Sequence, residues 1–340
     1  MIITRTPFRV SFLGGGTDLP GFYTKRTGRV ISTAIDKYVY VVINHTPLLK
    51  NVSVRYSISE SVGHPSLLQH NVIREALLEM GIHSNIEIGY FGHLPVKTGL
   101  GFSSSLSVGM MKGLSAYQGK KMDAGEAAEA ACRLEIERLR EPVGKQDHYA
   151  AAFGGFNVFE FNQDGSVGVD PVFLDYKKRF ALEDRLLIFF TGITRLAAGV
   201  LAEQKVNIPS RFETLCRMAD SVFEFRERLA SGDFEGLGSM LHQGWTEKKT
   251  LASSVSNPIL DALYDAGMNY GAWGGKVLGA GGGGCIMFLL SPEKKDALRY
   301  AMKKTAGALH LEGMQEIPVH FVQSGSEVVF KGRELHGMWA

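Results

Sequence analysis

Residues 95–105 read Pro-Val-Lys-Thr-Gly-Leu-Gly-Phe-Ser-Ser-Ser, and this stretch constrains the fold more than any other. Two glycines and three serines separate a strand-like apolar run, Ile86 to Phe91, from a helix-like run, Leu106 to Tyr117. A loop of this kind presents backbone N–H groups at a helix start, where the helix dipole is positive, and so suits a phosphate group. It points to a nucleotide, and through it to phosphoryl transfer.

The surrounding pattern mixes strands and helices. Tyr38 to Ile43 and Val52 to Ile58 carry the β-branched and aromatic residues of strands. Residues 66–80 change to helical spacing through Leu68, Val72, Leu77 and Met80. Asp123, with Glu126 three positions on, has the form of a capping box opening a helix that runs to about Arg140. Phe153 to Phe161 returns to strand. Beyond Arg185, the run Leu186 to Phe190 predicts a strand, and helices follow near 197–206, 210–230 and 234–250. Asn257-Pro258 opens another helix, expected to end at Gly267. Ile286 to Leu290 predicts a strand, Pro292 to about Leu311 a helix, and Val319 to Val322 a last strand. The elements lack regular βαβ alternation, so the class is α+β. The 340 residues exceed a typical single core, and two domains are expected, over 1–185 and 186–340.

Composition removes several function classes. The net charge is +2, which argues against a nucleic-acid or membrane-surface partner. Cys132, Cys216 and Cys285 are scattered and form no C-x-x-C, so neither a zinc site nor a disulfide framework is suggested. The N-terminal residues lack the pattern of a signal peptide, and no uncharged apolar run approaches the ~20 residues of a membrane span. A reducing cytoplasm is the expectation.

Two further glycine clusters accompany the 95–105 loop. Gly14-Gly15-Gly16-Thr17-Asp18 follows closely on Pro7-Phe8-Arg9, and Lys276 leads into Gly279-Ala-Gly-Gly-Gly-Gly284. Alone, each reads as a tight turn. No G-x-x-x-x-G-K-[ST] is present, which excludes a P-loop. Gly279, Gly281 and Gly284 have dinucleotide-fingerprint spacing but lead into a strand-like run rather than a helix, which argues against a Rossmann site. Taken in order, Pro-x-Arg…Gly-Gly-Thr-Asp, Pro-x-x-x-Gly-Leu-Gly-x-Ser-Ser and Lys-x-x-Gly-Ala-Gly-Gly-Gly-Gly resemble the three motifs of the GHMP kinases over essentially the whole chain. Within that superfamily the opening segment looks most like the D-glycero-α-D-manno-heptose 7-phosphate kinases, with the kinase part of L-fucokinases next. Another sugar 1-kinase, L-fucokinase or galactokinase-like, and a non-catalytic sugar- or nucleotide-binding sensor on the same scaffold are the alternative readings.

The resemblance implies an N-terminal domain like ribosomal protein S5 domain 2, a ferredoxin-like C-terminal domain, and a site between them. It implies ATP as co-substrate with Mg²⁺, a sugar phosphate as acceptor, and direct in-line transfer to the anomeric hydroxyl. A homodimer is compatible with it. Pro95, Gly99, Leu100, Gly101, Ser103, Ser104 and Ser105 would surround the nucleotide phosphates. Ser103, with Ser104 as the alternative, would ligate Mg²⁺ through its hydroxyl; Phe102 stands where many relatives carry another hydroxyl. A glutamate on the helix before the catalytic aspartate would be the second ligand. Of Glu135 and Glu137, helical spacing from Ala130 and Leu134 favours Glu137. Asp147, in Gly144-Lys-Gln-Asp, would be the general base, with Arg9 as the cation beside it. Gly15, Gly16, Thr17 and Asp18 would meet the sugar, with Gly281, Gly282 and Gly283 as a floor. Lys145 and Arg195 are the candidates for the acceptor's phosphate.

Overall fold

The structure, a computed structural model, describes residues 1–194 and 197–332. Its first sheet contains β1 (Ile2–Leu13), β2 (Gly28–His45), β3 (Val52–Arg55), β4 (Ser59–Val62), β5 (Ile86–Gly92), β6 (Phe156–Phe161) and β7 (Val167–Pro171). Its second contains β8 (Leu186–Phe190), β9 (Ala272–Val277), β10 (Cys285–Leu290) and β11 (Gln315–Glu316). The last strand, β12 (Glu327–Lys331), returns to the first sheet.

β2 is the spine of the first sheet. Its 18 residues are long enough to pair β1 along their length, β6 through the first part and β5 through the second. The order is β12-β1-β2-β5-β3-β4, with β6 and β7 branching from β2. The helix Phe102–Tyr117 lies across β1 and β2, where Thr4 donates its hydroxyl to the Gly109 carbonyl at 3.0 Å. The second sheet has the order β11-β8-β10-β9, all antiparallel. Its β10, Cys-Ile-Met-Phe-Leu-Leu, is buried throughout, because helices cover one face and the first sheet's core reaches the other. One apolar cluster joins Phe8 and Phe12 of β1 to Val222, Phe225 and Leu237 of the later helices and Met287 of β10.

The α+β class stands, and several details differ from the sequence expectation. The capping box at Asp123 is present, with both reciprocal bonds made. The helix it opens is α-helical only over Ala124–Cys132 and continues as a π-helix over Arg133–Arg138. Phe153 ends a helix, Gln146–Phe153, rather than starting a strand. Asn257 caps its helix through Oδ1, but the helix passes Gly267 and ends at Asn269. Val319–Val322 is not a regular strand: Phe321 makes an isolated bridge to Ile35 as the chain crosses back. Residue 185 falls between β7 and β8, yet β12 pairs with β1, so the end of the 186–340 segment belongs to the first sheet.

Candidate functional site

A cavity of about 460 Å³ opens where the start of the Phe102–Tyr117 helix, the end of β1 and the start of the Gln146–Phe153 helix converge. Arg9 organises it. The sequence alternates along β1, and Arg9 falls on the side facing the glycine loop, where only 3% of it remains exposed. Its Nε and Nη2 donate to the two carboxylate oxygens of Asp147 at 2.7 and 2.6 Å, a bidentate pair. Its Nη1 donates to the Gly99 carbonyl at 2.8 Å, and its backbone N–H to the Leu100 carbonyl at 3.1 Å. One side chain thus fixes the carboxylate and the phosphate-type loop to each other.

The loop's backbone explains its glycines. Gly99 has φ +78°, and a Cβ there would sit 2.6 Å from the Leu278 carbonyl oxygen. Gly101, at φ +86°, is the N-cap of the following helix, and no side chain caps it. The helix's first N–H groups are therefore presented to the cavity, the arrangement that receives an anion. Ser103 and Ser104 line the cavity. Ser105 does not: its hydroxyl is buried on the Pro7 carbonyl at 2.8 Å. Leu100 belongs to the core, and Pro95 is exposed outside the cavity lining. Phe102, the unusual residue of the motif, packs on Phe8 and Tyr90 at centroid distances of 5.7 and 6.2 Å. With Tyr90, Val72, Val96, Leu106 and Leu139 it belongs to the apolar part of the lining.

Glu135, not Glu137, faces this loop. Its Oε1 accepts from the Ser103 and Ser107 hydroxyls at 2.9 and 2.5 Å, and its Oε2 is 3.3 Å from His148 Nε2. Burial pushes this carboxyl up, but the His148 charge and the two serine hydroxyls outweigh it and hold the pKa below the ordinary value. Glu137 is exposed and absent from the lining. Its expected face was counted at 3.6 residues per turn, whereas the π-turn adds about one residue per turn and rotates the inward position to 135.

Asp18 is buried beside Asp147. Its Oδ1 accepts from the Gly16 N–H and Gln146 Nε2, both at 3.0 Å, and its Oδ2 accepts from the Gln146 N–H at 3.2 Å. Burial, then the Asp147 charge, raises its pKa. Gly15 and Gly16 line the cavity; Thr17 does not, since its hydroxyl is spent on the Gly14 and Arg29 carbonyls. The third motif reaches the cavity only through Gly279 and Ala280. Gly282 and Gly284 donate to the Val255 and Ile193 carbonyls at 2.7 and 2.8 Å, so Gly281–Gly283 pack on neighbouring backbone instead of forming a floor. Lys145 turns away and donates to Glu129 and the Gly165 carbonyl. Arg195 lies outside the described residues.

Gln146 and Lys248 are among the cavity residues that had no reading in the sequence. Gln146 bridges Asp18 to Ser11, whose hydroxyl donates to its Oε1 at 3.1 Å; its place beside Asp147 was the available signal. Lys248, near the end of the helix Phe234–Lys249, is 5% exposed and donates to the Gly279 carbonyl at 2.5 Å. In sequence it is one of a Lys-Lys pair that resembles a solvated helix end. Among the described residues no group of three or more His, Cys, Asp and Glu side chains forms a metal cluster, and no helix is long and apolar enough to cross a membrane.

Residues 68–155 match the GHMP kinase N-terminal domain and residues 225–308 the GHMP kinase C-terminal domain. The chain is 30% identical to the D-glycero-alpha-D-manno-heptose 7-phosphate kinase of Campylobacter jejuni, over 90% of this chain and 94% of that protein. A D-glycero-D-manno-heptose 1-phosphate kinase structure from Bacteroides thetaiotaomicron superposes with TM-score 0.77 at 24% identity, covering 96% of this chain and 98% of that one. Galactokinase from Lactococcus lactis, solved with galactose, gives 0.76 at 18% identity, over 96% and 95%.

Proposed function

The chain belongs to the GHMP kinases and is a phosphotransferase acting on a sugar hydroxyl with ATP as co-substrate; from that premise we propose that its acceptor is D-glycero-D-manno-heptose 7-phosphate and its product the 1,7-bisphosphate. The observation that carries the reading is the buried Arg9 guanidinium. It holds Asp147 and the Gly99 carbonyl together, next to Asp18, so an acceptor hydroxyl and a nucleotide phosphate would meet at one point. Identity to the Campylobacter enzyme supports the heptose.

In this reading the helix N-terminus after Gly101 and the cavity-lining Ser104 hold the nucleotide phosphates, and the apolar lining around Tyr90 and Phe102 takes the base. Asp18, fixed by Gln146, accepts from sugar hydroxyls. The anomeric oxygen attacks the γ-phosphorus, the bond to the β,γ-bridging oxygen breaks, ADP leaves, and the proton of the anomeric hydroxyl passes to Asp147. Arg9 keeps that carboxylate aimed and offsets negative charge. Ser103 and Glu135 fit Mg²⁺: both offer hard oxygens at the loop, and Glu135 is held as a carboxylate in a buried site. Few protein ligands are expected for this ion, because substrate phosphates and water supply the rest. When bound, it neutralises charge on the nucleotide phosphates.

The test is a panel of acceptors with ATP and Mg²⁺: heptose 7-phosphate, the unphosphorylated heptose, L-fucose and galactose, with products assigned by NMR. Heptose 7-phosphate should be turned over with the highest kcat/KM and gain its new phosphate at C1. Efficient turnover of fucose or galactose, with none of heptose 7-phosphate, would reject the substrate assignment.

A further inference from the structure

Among the described residues Lys248 is the buried cation of the cavity lining that the residue roles above leave unused; Lys97, also in the lining, is exposed. Its ammonium makes one hydrogen bond, to the Gly279 carbonyl, and among the described residues it has no carboxylate within 4 Å. Arg9 differs, because Asp147 neutralises it at 2.6 Å. Lysine is rarely buried without a counter-ion, since the desolvated charge is costly unless something answers it. Two N–H donors of Lys248 remain, and the side chain lines the cavity. The position that a Cβ on Gly15 would occupy lies 3.8 Å from Lys248 Nζ and 3.6 Å from Gln146 Nε2. A bound group above Gly15 would therefore meet the Lys248 ammonium and the Gln146 amide, whose Oε1 lies at 3.9 Å. Gly279 in turn abuts Gly99 of the phosphate-type loop. Lys248 thus stands where the acceptor side meets the loop.

We propose that Lys248 is the anion receptor of the acceptor site, its ammonium taking a phosphate oxygen from the acceptor's own phosphate or from the phosphoryl group in transfer. This rests on the sugar-phosphate kinase reading above. It also fills the role expected of Lys145, which the fold commits elsewhere. Burial and the nearby Arg9 charge, partly countered by Asp18 and Asp147, push the Lys248 pKa down to about 8. Lys276, whose ammonium is bound to the Ser11 and Phe12 carbonyls, is the other cation close by. An arriving phosphate would stabilise the charged form.

Lys248→Met should be assayed beside wild type with heptose 7-phosphate and with the unphosphorylated heptose. If the acceptor's phosphate is the source, KM for heptose 7-phosphate rises by about 10- to 100-fold, the range for a lost charge-assisted hydrogen bond, with kcat and the unphosphorylated sugar unaffected. If the transferring group is the source, kcat falls by a similar factor with both acceptors. A folded Lys248→Met with wild-type kcat and KM for both acceptors overturns the proposal. Should that variant not fold, wild type is measured from pH 7 to 10. The kcat/KM for heptose 7-phosphate, which reports the free enzyme, must fall above about pH 8 as the ammonium loses its proton, and a flat profile rejects the role. Wild type that fails to phosphorylate heptose 7-phosphate rejects the substrate reading instead.

Discussion

The two sides of the cavity are built on different principles. The side proposed for the acceptor is a network of side chains: Arg9 grips Asp147, Gln146 grips Asp18, and each partner is held by two or more bonds. The loop side presents backbone, its uncapped helix start flanked by the apolar surfaces of Tyr90 and Phe102. A nucleotide offers phosphates and a flat base, which backbone N–H groups and apolar walls can hold through shape and a dipole. An acceptor must be aligned for proton removal, which needs charged groups fixed in angle as well as in distance. Single substitutions should therefore affect chemistry on the first side and binding on the second.

Asp147→Asn tests the first half of that contrast most severely. It keeps the shape and removes the proposed base, so kcat should fall by about 100-fold or more while ATP affinity stays near wild type. Near-normal turnover would remove Asp147 from its assigned role. Glu135→Gln should act across the boundary. The buried amide cannot supply a carboxylate oxygen, and the Mg²⁺ concentration giving half-maximal rate should rise at least about tenfold. Titration of the ATP-bound protein with Mn²⁺, followed by electron paramagnetic resonance, measures the same loss without turnover.

Lys248 gives a smaller effect of opposite sign. A fall from 10.5 to about 8 in a fully buried group is a stability cost of about 3 kcal/mol. The cost is complete below pH 8, where the charge is present in both states. It shrinks between about 8 and 10.5, where the folded protein gives up its proton first, and it is gone above that range. Lys248→Met should therefore raise the melting temperature of the ligand-free protein at pH 7 by a few °C, with the advantage fading by pH 10. A lower melting temperature at pH 7 would show that Lys248 is a structural tie.

What could be read in the chain follows the range of the interactions involved. The Asp123 capping box, the Asn257 cap and the helix start after Gly101 are local contacts between neighbours, so the order of residues carries them. Arg9 and Asp18 were legible through the first of the three motifs, and Asp147 through the Gly144-Lys-Gln-Asp segment. β12 was not, because its partner is β1, more than 300 residues earlier, and nothing adjacent marks the pairing. Lys248 was hidden for the same reason. Its neighbour Lys249 is exposed and pairs with Asp261, and only the packing of the Phe234–Lys249 helix against β9 and β10 turns position 248 inward. Gly281–Gly283 show the reverse error. A glycine run suggested a ligand, and the close approach it permits is to the protein's own backbone.

Glu137 gives the smallest and sharpest prediction. Counting by 3.6 from Ala130 and Leu134 placed it on the inner face, and that count is sound for an α-helix. Between Arg133 and Arg138 the backbone bonds run five residues apart, as in the 3.0 Å bond from the Leu139 N–H to the Leu134 carbonyl. The wider turn carries Glu135 onto Ser103 and Ser107 and leaves Glu137 exposed. Glu137→Gln should change kcat, KM and the Mg²⁺ requirement by less than about twofold, the behaviour of an exposed side chain. Paired with Glu135→Gln under identical conditions, it isolates the effect of one π-turn on which carboxylate serves the site. A Mg²⁺ requirement that rises for Glu137→Gln and not for Glu135→Gln would mean that the helix is regular in solution and the inward carboxylate is the other one.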